Sequence, residues 1–361
     1  MPRPVVPPIH LSTTYHREPD GSYTDGYVYT RADNPNRRAL EEQLAELCGG
    51  ATALAFASGM AAIHALFQTL ESGDHVLIPD DVYYNVRRLL DGVMQPWGLT
   101  YTAVDMTDLA AVQAAVQSNT KLIWVETPSN PQLKITDIEA VCQLGEAAGA
   151  KIGVDNTWAT PILQRPLELG ADYVVHSSTK YFGGHSDVLG GALITRHDDA
   201  VVEHLRQVQH FGGAVPSPFD CYLVSRGLQS LRLRVLQQSA SAAALAAYLD
   251  DHPKVERVLY PGLTSHPGYA IGKRQSTGLG YGAMLSVCVK GDAGTANRVA
   301  ERLKHFQTAT SLGGVESLVE HRKSVEGVDS LTPNNLLRLS VGVEPVEVLV
   351  GDWERALGMV G

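Results

Sequence analysis

Between residues 38 and about 200, short apolar runs alternate with stretches of helical periodicity. "RRALEEQLAELCGG" repeats apolar residues at three- and four-residue intervals and ends in glycines, which predicts a helix with a glycine stop. "ATALAFASG" follows as a short strand-like run, and then the helical "MAAIHALFQTL". The runs "HVLIP", "LTYTAV", "TKLIWVE", "AKIGVD" and "ADYVVHS" recur, with helical segments such as "DLAAVQAAV" and "DIEAVCQLGEAAG" between most of them. Apolar runs of strand length separated by helices are the pattern of parallel strands covered by helices. The expectation is an α/β fold with a large, mostly parallel-sheet domain over residues 38–240.

The pattern then changes. A long helical region, "RGLQSLRLRVLQQSASAAALAAYLDDH", leads into a smaller C-terminal α/β domain over 241–361. There "VERVLYP", "AMLSVCVK", "FQTATSLG" and "LLRLSVGV" read as strands, and "AGTANRVAERL" and "VEVLVGDWERAL" as helices. Residues 1–37 form an N-terminal arm whose proline-rich opening reads as extended chain or as the start of a shortened one.

Composition removes several classes of function. The formal charge of −10 is spread along the chain without a basic block, which argues against nucleic-acid binding. No apolar run reaches the roughly 20 residues of a membrane span. Cys48, Cys142, Cys221 and Cys288 lie far apart with no CxxC pair, which suits a reduced, cytoplasmic protein. His176 and His185 bracket Lys180 but form no HExxH arrangement, so no metal is expected.

Chemically capable residues fall at the ends of predicted strands, where parallel α/β folds place ligands. Ser58 and Gly59 close one run before a helix, an arrangement that serves either as an ordinary cap or as an anion cradle. It is not a nucleotide P-loop, because GxxxxGK is absent. Asp155 ends "AKIGVD", where it can cap a loop or pair with a protonated ring nitrogen. Lys180 ends "ADYVVHSSTK", with Ser177 and Thr179 beside it. A lone lysine is ordinarily a surface residue. Here the neighbouring hydroxyls and glycines suit an amine doing covalent chemistry next to a bound phosphate.

These residues also carry a resemblance. "DYVVHSSTKYFGGHSDVLGG", with "YVYTRADNP", "FASGMAA", "ETPSNP", "VDNTWATP", "TSLGGVESL" and "LLRLSVGVE", resembles the Cys/Met-metabolism family of pyridoxal-phosphate enzymes over almost the whole chain. The resemblance implies the fold-type I transferase architecture, pyridoxal 5'-phosphate as cofactor and a small amino-acid substrate. It also implies a homotetramer assembled from catalytic dimers. Lys180 is similar to the lysine that carries the cofactor and later moves protons, and Asp155 to the partner of the pyridinium nitrogen. Ser177 and Thr179, with the Gly59 and Met60 amides, look like the phosphate cradle. Tyr83 resembles the tyrosine that stacks on the ring and assists the leaving group; its neighbour Tyr84 departs from the commoner small residue and is expected to alter the pocket entrance.

Tyr29 and Arg31 look like the pair that one subunit donates to its neighbour's cofactor phosphate. Arg338 resembles the arginine that clamps the substrate carboxylate, Asn130 a residue near the cofactor's phenolic oxygen, and Ser311 one that orients the carboxylate or the lysine. From the residues alone, Arg338 reads as an edge residue or an internal ion-pair partner, and Asn130 and Ser311 as loop caps. Glu316 resembles the glutamate that meets a distal amino group in gamma-synthases and gamma-lyases, or else is a solvated charge at a helix start.

The reaction expected from the resemblance is gamma-elimination or gamma-replacement on sulfur amino acids or activated homoserine, of cystathionine gamma-lyase or gamma-synthase type. Cystathionine beta-lyase, methionine gamma-lyase and O-acylhomoserine sulfhydrylase are the alternatives within the family. A noncatalytic amino-acid-binding protein or a structural homo-oligomer is the alternative outside it. After Glu316 the chain reads "SLVEHRKSVEGVDSLTPNN" where family members continue "HPASMTHA". His321, Arg322 and Lys323 thereby add cations near the expected substrate entrance, or simply solvate a loop.

Overall fold

The computed structural model describes residues 5–327 and 330–359. Residues 1–4 of the expected arm, and 328, 329, 360 and 361 of the expected C-terminal domain, lie outside the described residues. Seven strands, β1 (Thr52–Phe56), β2 (His75–Pro79), β3 (Thr100–Val104), β4 (Thr120–Glu126), β5 (Lys151–Asp155), β6 (Tyr173–His176) and β7 (Gly191–Thr195), form one sheet in the order β1-β7-β6-β5-β4-β2-β3. β7 runs antiparallel to both of its neighbours, and every other pair is parallel. Side chains on the central strands alternate between two apolar layers. Val76, Ile78 and Trp124 pack on one face with Leu66 and Phe67, while Leu77, Ile123 and Val125 pack on the other with Ile138 and Val141. Burial on both faces is what makes these runs continuously hydrophobic.

β7 was not among the predicted strands. Its five residues follow a glycine loop, too short a run to stand out, and it is fixed by pairing on both sides. Gly191 pairs with Phe56, and a Cβ there would overlap the Ser58 carbonyl oxygen. Only glycine lets β7 lie this close to the end of β1.

The second sheet contains β8 (Val255–Leu259), β9 (Met284–Val289), β10 (Phe306–Thr308), β11 (Ser317–His321) and β12 (Leu336–Ser340), in the order β10-β11-β12-β9-β8. It is antiparallel except for the β10–β11 pair. β11 is an addition to the expected elements, and it corrects the reading of Glu316 as a helix start, since that residue immediately precedes the strand. Ser317 starts it, its N–H and hydroxyl donating to Glu344 at 2.9 and 2.8 Å. The region read as one long helix is two, Pro218–Leu228 and Leu231–Asp250, and the second packs against β8 and β9. The expected division at 240/241 falls within it. Among the described residues no helix is long and apolar enough to cross a membrane, and no group of three acidic, His or Cys residues is placed to hold a metal.

Candidate active site

The carboxyl ends of β1, β4, β5 and β6 open into a cleft that residues 310–312, Arg322 and Arg338 close from the second sheet. Gly59, Met60, Tyr83, Asn130, Asp155, Ser177, Thr179, Lys180, Ser311 and Arg338 all line it. Ten residues from widely separated stretches are therefore brought together.

The large-domain wall begins at the helix Gly59–Phe67. Ser58 caps it, its Oγ accepting the Ala61 N–H at 3.1 Å. Helix geometry leaves the first-turn amides of Gly59 and Met60 without intrahelical partners. A Cβ on Gly59 would stand 3.0 Å from the Ser177 Cβ, so glycine keeps the helix start against the end of β6. Ser177 donates its N–H to Thr157 Oγ1 at 2.9 Å, and the Thr179 hydroxyl ties the loop at Gly190, donating to its carbonyl at 3.2 Å and accepting its N–H at 3.0 Å. On the floor, Asp155 accepts the Thr157 N–H at 2.9 Å, and burial raises its carboxyl above the usual range. Tyr83 is held by its main chain, whose N–H donates to Glu126 Oε2 at 2.8 Å.

Lys180 donates from Nζ to Ser311 Oγ at 2.8 Å. Burial lowers its amine to about 8, helped by the Arg338 and Arg322 cations and opposed by Glu320. A substantial fraction of the amine is then neutral near physiological pH, the form that can attack a carbonyl or take a proton.

The opposite wall is a buried ion-pair network. Arg338, on β12, donates from Nη1 to Asn130 Oδ1 at 3.1 Å and from Nη2 to the Ser311 carbonyl at 3.2 Å and Glu320 Oε2 at 2.5 Å. Burial lowers the Arg338 guanidinium to about 10. Glu320 sits opposite Arg338 in the β11–β12 register, and the same oxygen accepts Arg322 Nη1 at 3.1 Å. Arg322 in turn grips Glu326 Oε1 through Nε and Nη2 at 3.0 and 2.8 Å, while the Ser330 and Thr332 hydroxyls donate to the other Glu326 oxygen. Buried charges of this kind persist because each is paired and hydrogen-bonded. Ser311 stands at a φ of 100°, a conformation rare outside glycine.

Three expected site residues lie outside the cleft. Glu316 accepts the Ser186 hydroxyl. Tyr29 is 43% exposed, and Arg31 lies 5.8 Å from its ring while donating to the His210 carbonyl at 2.7 Å. Tyr84 does not line the cleft either. It lies in an adjoining cavity with Asp80, Asp81 and Arg87, its ring under the Arg88 guanidinium at 4.7 Å. His176 is buried and packs on Phe182 at 4.6 Å, and His185 Nδ1 meets the Gly183 carbonyl at 2.8 Å. Cys221 is fully buried in a helix, its thiol pushed up to about 12 by burial, which makes it unreactive. Arg322, expected as a cation near the substrate entrance or as part of a solvated loop, lines the cleft, whereas Glu126 and Glu320 carried no such expectation. Glu126 closed a predicted strand, and the charged run containing the other two resembled a solvated loop.

The donors suit a phosphorylated pyridine aldehyde. A partly neutral amine, an aromatic ring, a floor carboxylate, and free helix amides beside two hydroxyls all face one cleft.

The family model described as Cys/Met metabolism PLP-dependent enzyme matches residues 2–358. The chain is 50% identical over 357 residues to the cystathionine gamma-synthase of Mycobacterium tuberculosis, covering 97% of this chain and 91% of that protein. It is 43% identical over 361 residues to the cystathionine gamma-lyase of Dictyostelium discoideum, covering 98% and 92%. The crystal structure of cystathionine gamma-synthase from Xanthomonas oryzae pv. oryzae in complex with cystathionine superposes with a TM-score of 0.93 at 39% identity, covering 98% of this chain and 93% of that one.

Proposed function

The chain belongs to the Cys/Met metabolism family of pyridoxal-phosphate-dependent enzymes, and from that premise we propose that it catalyses gamma-replacement on an activated homoserine, as a cystathionine gamma-synthase. The observation that carries the reading is the double use of Ser311. Its hydroxyl holds the Lys180 amine at 2.8 Å while its carbonyl holds Arg338 at 3.2 Å. An amino acid whose carboxylate docks on Arg338 therefore presents its α-carbon toward Lys180. The mycobacterial relative supports the gamma-synthase choice.

Pyridoxal phosphate, when bound, supplies the electron sink that accepts charge from the substrate's α-carbon. Asp155 would pair with the ring nitrogen. The Gly59 and Met60 amides, Ser177 and Thr179 would hold the phosphate, and Tyr83 would cover the ring. Arg338 orients the substrate carboxylate through a planar pair of donors, supported by Asn130. Lys180 takes the α-proton and returns protons along the bound substrate. Tyr29 and Arg31, which do not line their own cleft, would serve the phosphate of a neighbouring subunit in a tetramer of catalytic dimers. Glu316 would meet a distal amino group once substrate is present. The scattered, unpaired cysteines support a cytoplasmic setting.

Gamma-elimination of cystathionine uses the same residues and is the second reading, favoured by the Dictyostelium relative. A substrate panel with mass-spectrometric product identification decides between them. Cystathionine formed from cysteine and an O-acylhomoserine is the expected result. Cysteine, 2-oxobutyrate and ammonia released from cystathionine would select the lyase. Homocysteine with pyruvate would overturn both readings in favour of beta-elimination.

A further inference from the structure

Glu126 lines the cleft, and the reading above gives it no task. It ends β4 and is the parallel register partner of Asp155 at the end of β5. Parallel neighbours stand about 4.8 Å apart with their side chains on one face, so two carboxyl groups share the floor of the cleft. Glu126 is only 5% exposed. It accepts the Tyr83 main-chain N–H at 2.8 Å, and the Asn130 main chain is close by. One buried carboxyl thus lies behind the ring-stacking tyrosine, the asparagine that meets Arg338, and the floor aspartate.

Among the described residues neither Glu126 nor Asp155 joins an ion pair. The groups facing Glu126 are Asp155 from β5 and Asp81 from the segment after β2, which accepts the Ser129 hydroxyl. The nearby Lys134 is bound to Asp80 and Asp105, and Arg338 across the cleft is bound to Glu320. Two adjacent buried carboxyls without a counter-cation do not both ionise. A pyridinium nitrogen needs one anion, the role that the proposed function gives to Asp155.

We infer that Glu126 is a positioning residue that keeps its proton: as a neutral acid it fixes the Tyr83 main chain and leaves Asp155 as the single negative charge on the floor. Burial first, and then the Asp155 and Asp81 carboxylates, push Glu126 well above the usual carboxyl range, in the same direction. The inference rests on the cleft being the pyridoxal-phosphate site and is independent of which sulfur amino acid is turned over.

The test compares Glu126→Gln and Glu126→Ala for pyridoxal-phosphate affinity, with infrared spectra of the wild-type and Gln holoenzymes at neutral pH. The neutral isostere Gln is expected to hold the cofactor within about threefold of wild type, while Ala, which leaves the buried Tyr83 main-chain donor without its partner, weakens it roughly tenfold or more. The wild-type spectrum is expected to contain the carbonyl stretch of a protonated carboxyl that the Gln variant lacks. Identical spectra, or Gln weakening the cofactor as much as Ala, would overturn the inference. So would cofactor affinity at the wild-type level in both variants. If Ala does not fold, the infrared comparison still decides. Failure of all sulfur-amino-acid turnover with these binding results intact would count against the proposed reaction alone.

Discussion

The two walls of the cleft are built on different principles. The large-domain wall is made of strand ends and a helix start: the Gly59 turn, Asp155, and the Ser177–Lys180 loop. Several of its polar groups are bonded locally, such as Thr179 to Gly190 and Asp155 to Thr157, while the first-turn amides of Gly59 and Met60 remain as free donors. The small-domain wall uses charges set within and just after antiparallel strands, Arg338, Glu320 and Arg322, each occupied by the next. The first wall keeps open valences, whereas the second is a closed network; under the proposed function a substrate carboxylate would enter it by competition with Glu320. Cofactor binding and substrate orientation therefore draw on separate reserves of interaction, and they can be broken separately.

The largest effect is expected from Lys180→Ala, which removes the reacting amine. Turnover should fall by about 10²–10⁴-fold or more, with loss of the visible absorbance of the lysine-linked cofactor. Next, Arg338→Ala should lower kcat/KM by roughly 30-fold or more through a rise in KM, because a buried charge pair loses one member. Cofactor absorbance should survive, and its loss would show that the walls are not separable. Gly191→Ala strikes only the first wall. The new Cβ must displace the Ser58 carbonyl, so thermal melts should show a loss of about 1–3 kcal/mol together with weaker pyridoxal-phosphate uptake. The smallest effects are shifts in pH. Uptake of the cofactor by apo protein, followed by stopped-flow absorbance, should accelerate as pH rises through about 8 and Lys180 loses its proton. Arg322 lowers that value and Glu320 raises it. Arg322→Met should therefore move the transition to higher pH, and Glu320→Gln to lower pH.

The same contrast explains what could be read from the chain. The first wall was legible because its residues belong to short contiguous stretches whose strand ends are marked by glycine, serine and aspartate. β7 escaped because a five-residue strand after a glycine loop gains its identity from partners on both sides. Arg338 was legible through resemblance, but its network was not. Glu320 meets it only through the β11–β12 register, and Arg322 is buried only because Glu320 and Glu326 neutralise it. A run such as "EHRK" has the composition of an exposed loop, and nothing local distinguishes a charge that finds its counter-charge from one that finds water. Glu126 is a similar case. Its identity was plain, but its pairing with Asp155 depends on a parallel register between strands 25 residues apart or more.

Ser311 gives the two walls a mechanical connection. Its backbone stands at a φ of 100°, which for a non-glycine residue stores on the order of 1–3 kcal/mol. The hydroxyl is tethered to the amine of one wall and the carbonyl to the guanidinium of the other. Ser311 is thus bonded to both walls, and replacing it is expected to loosen the amine and the guanidinium together, where the other substitutions act on one wall at a time.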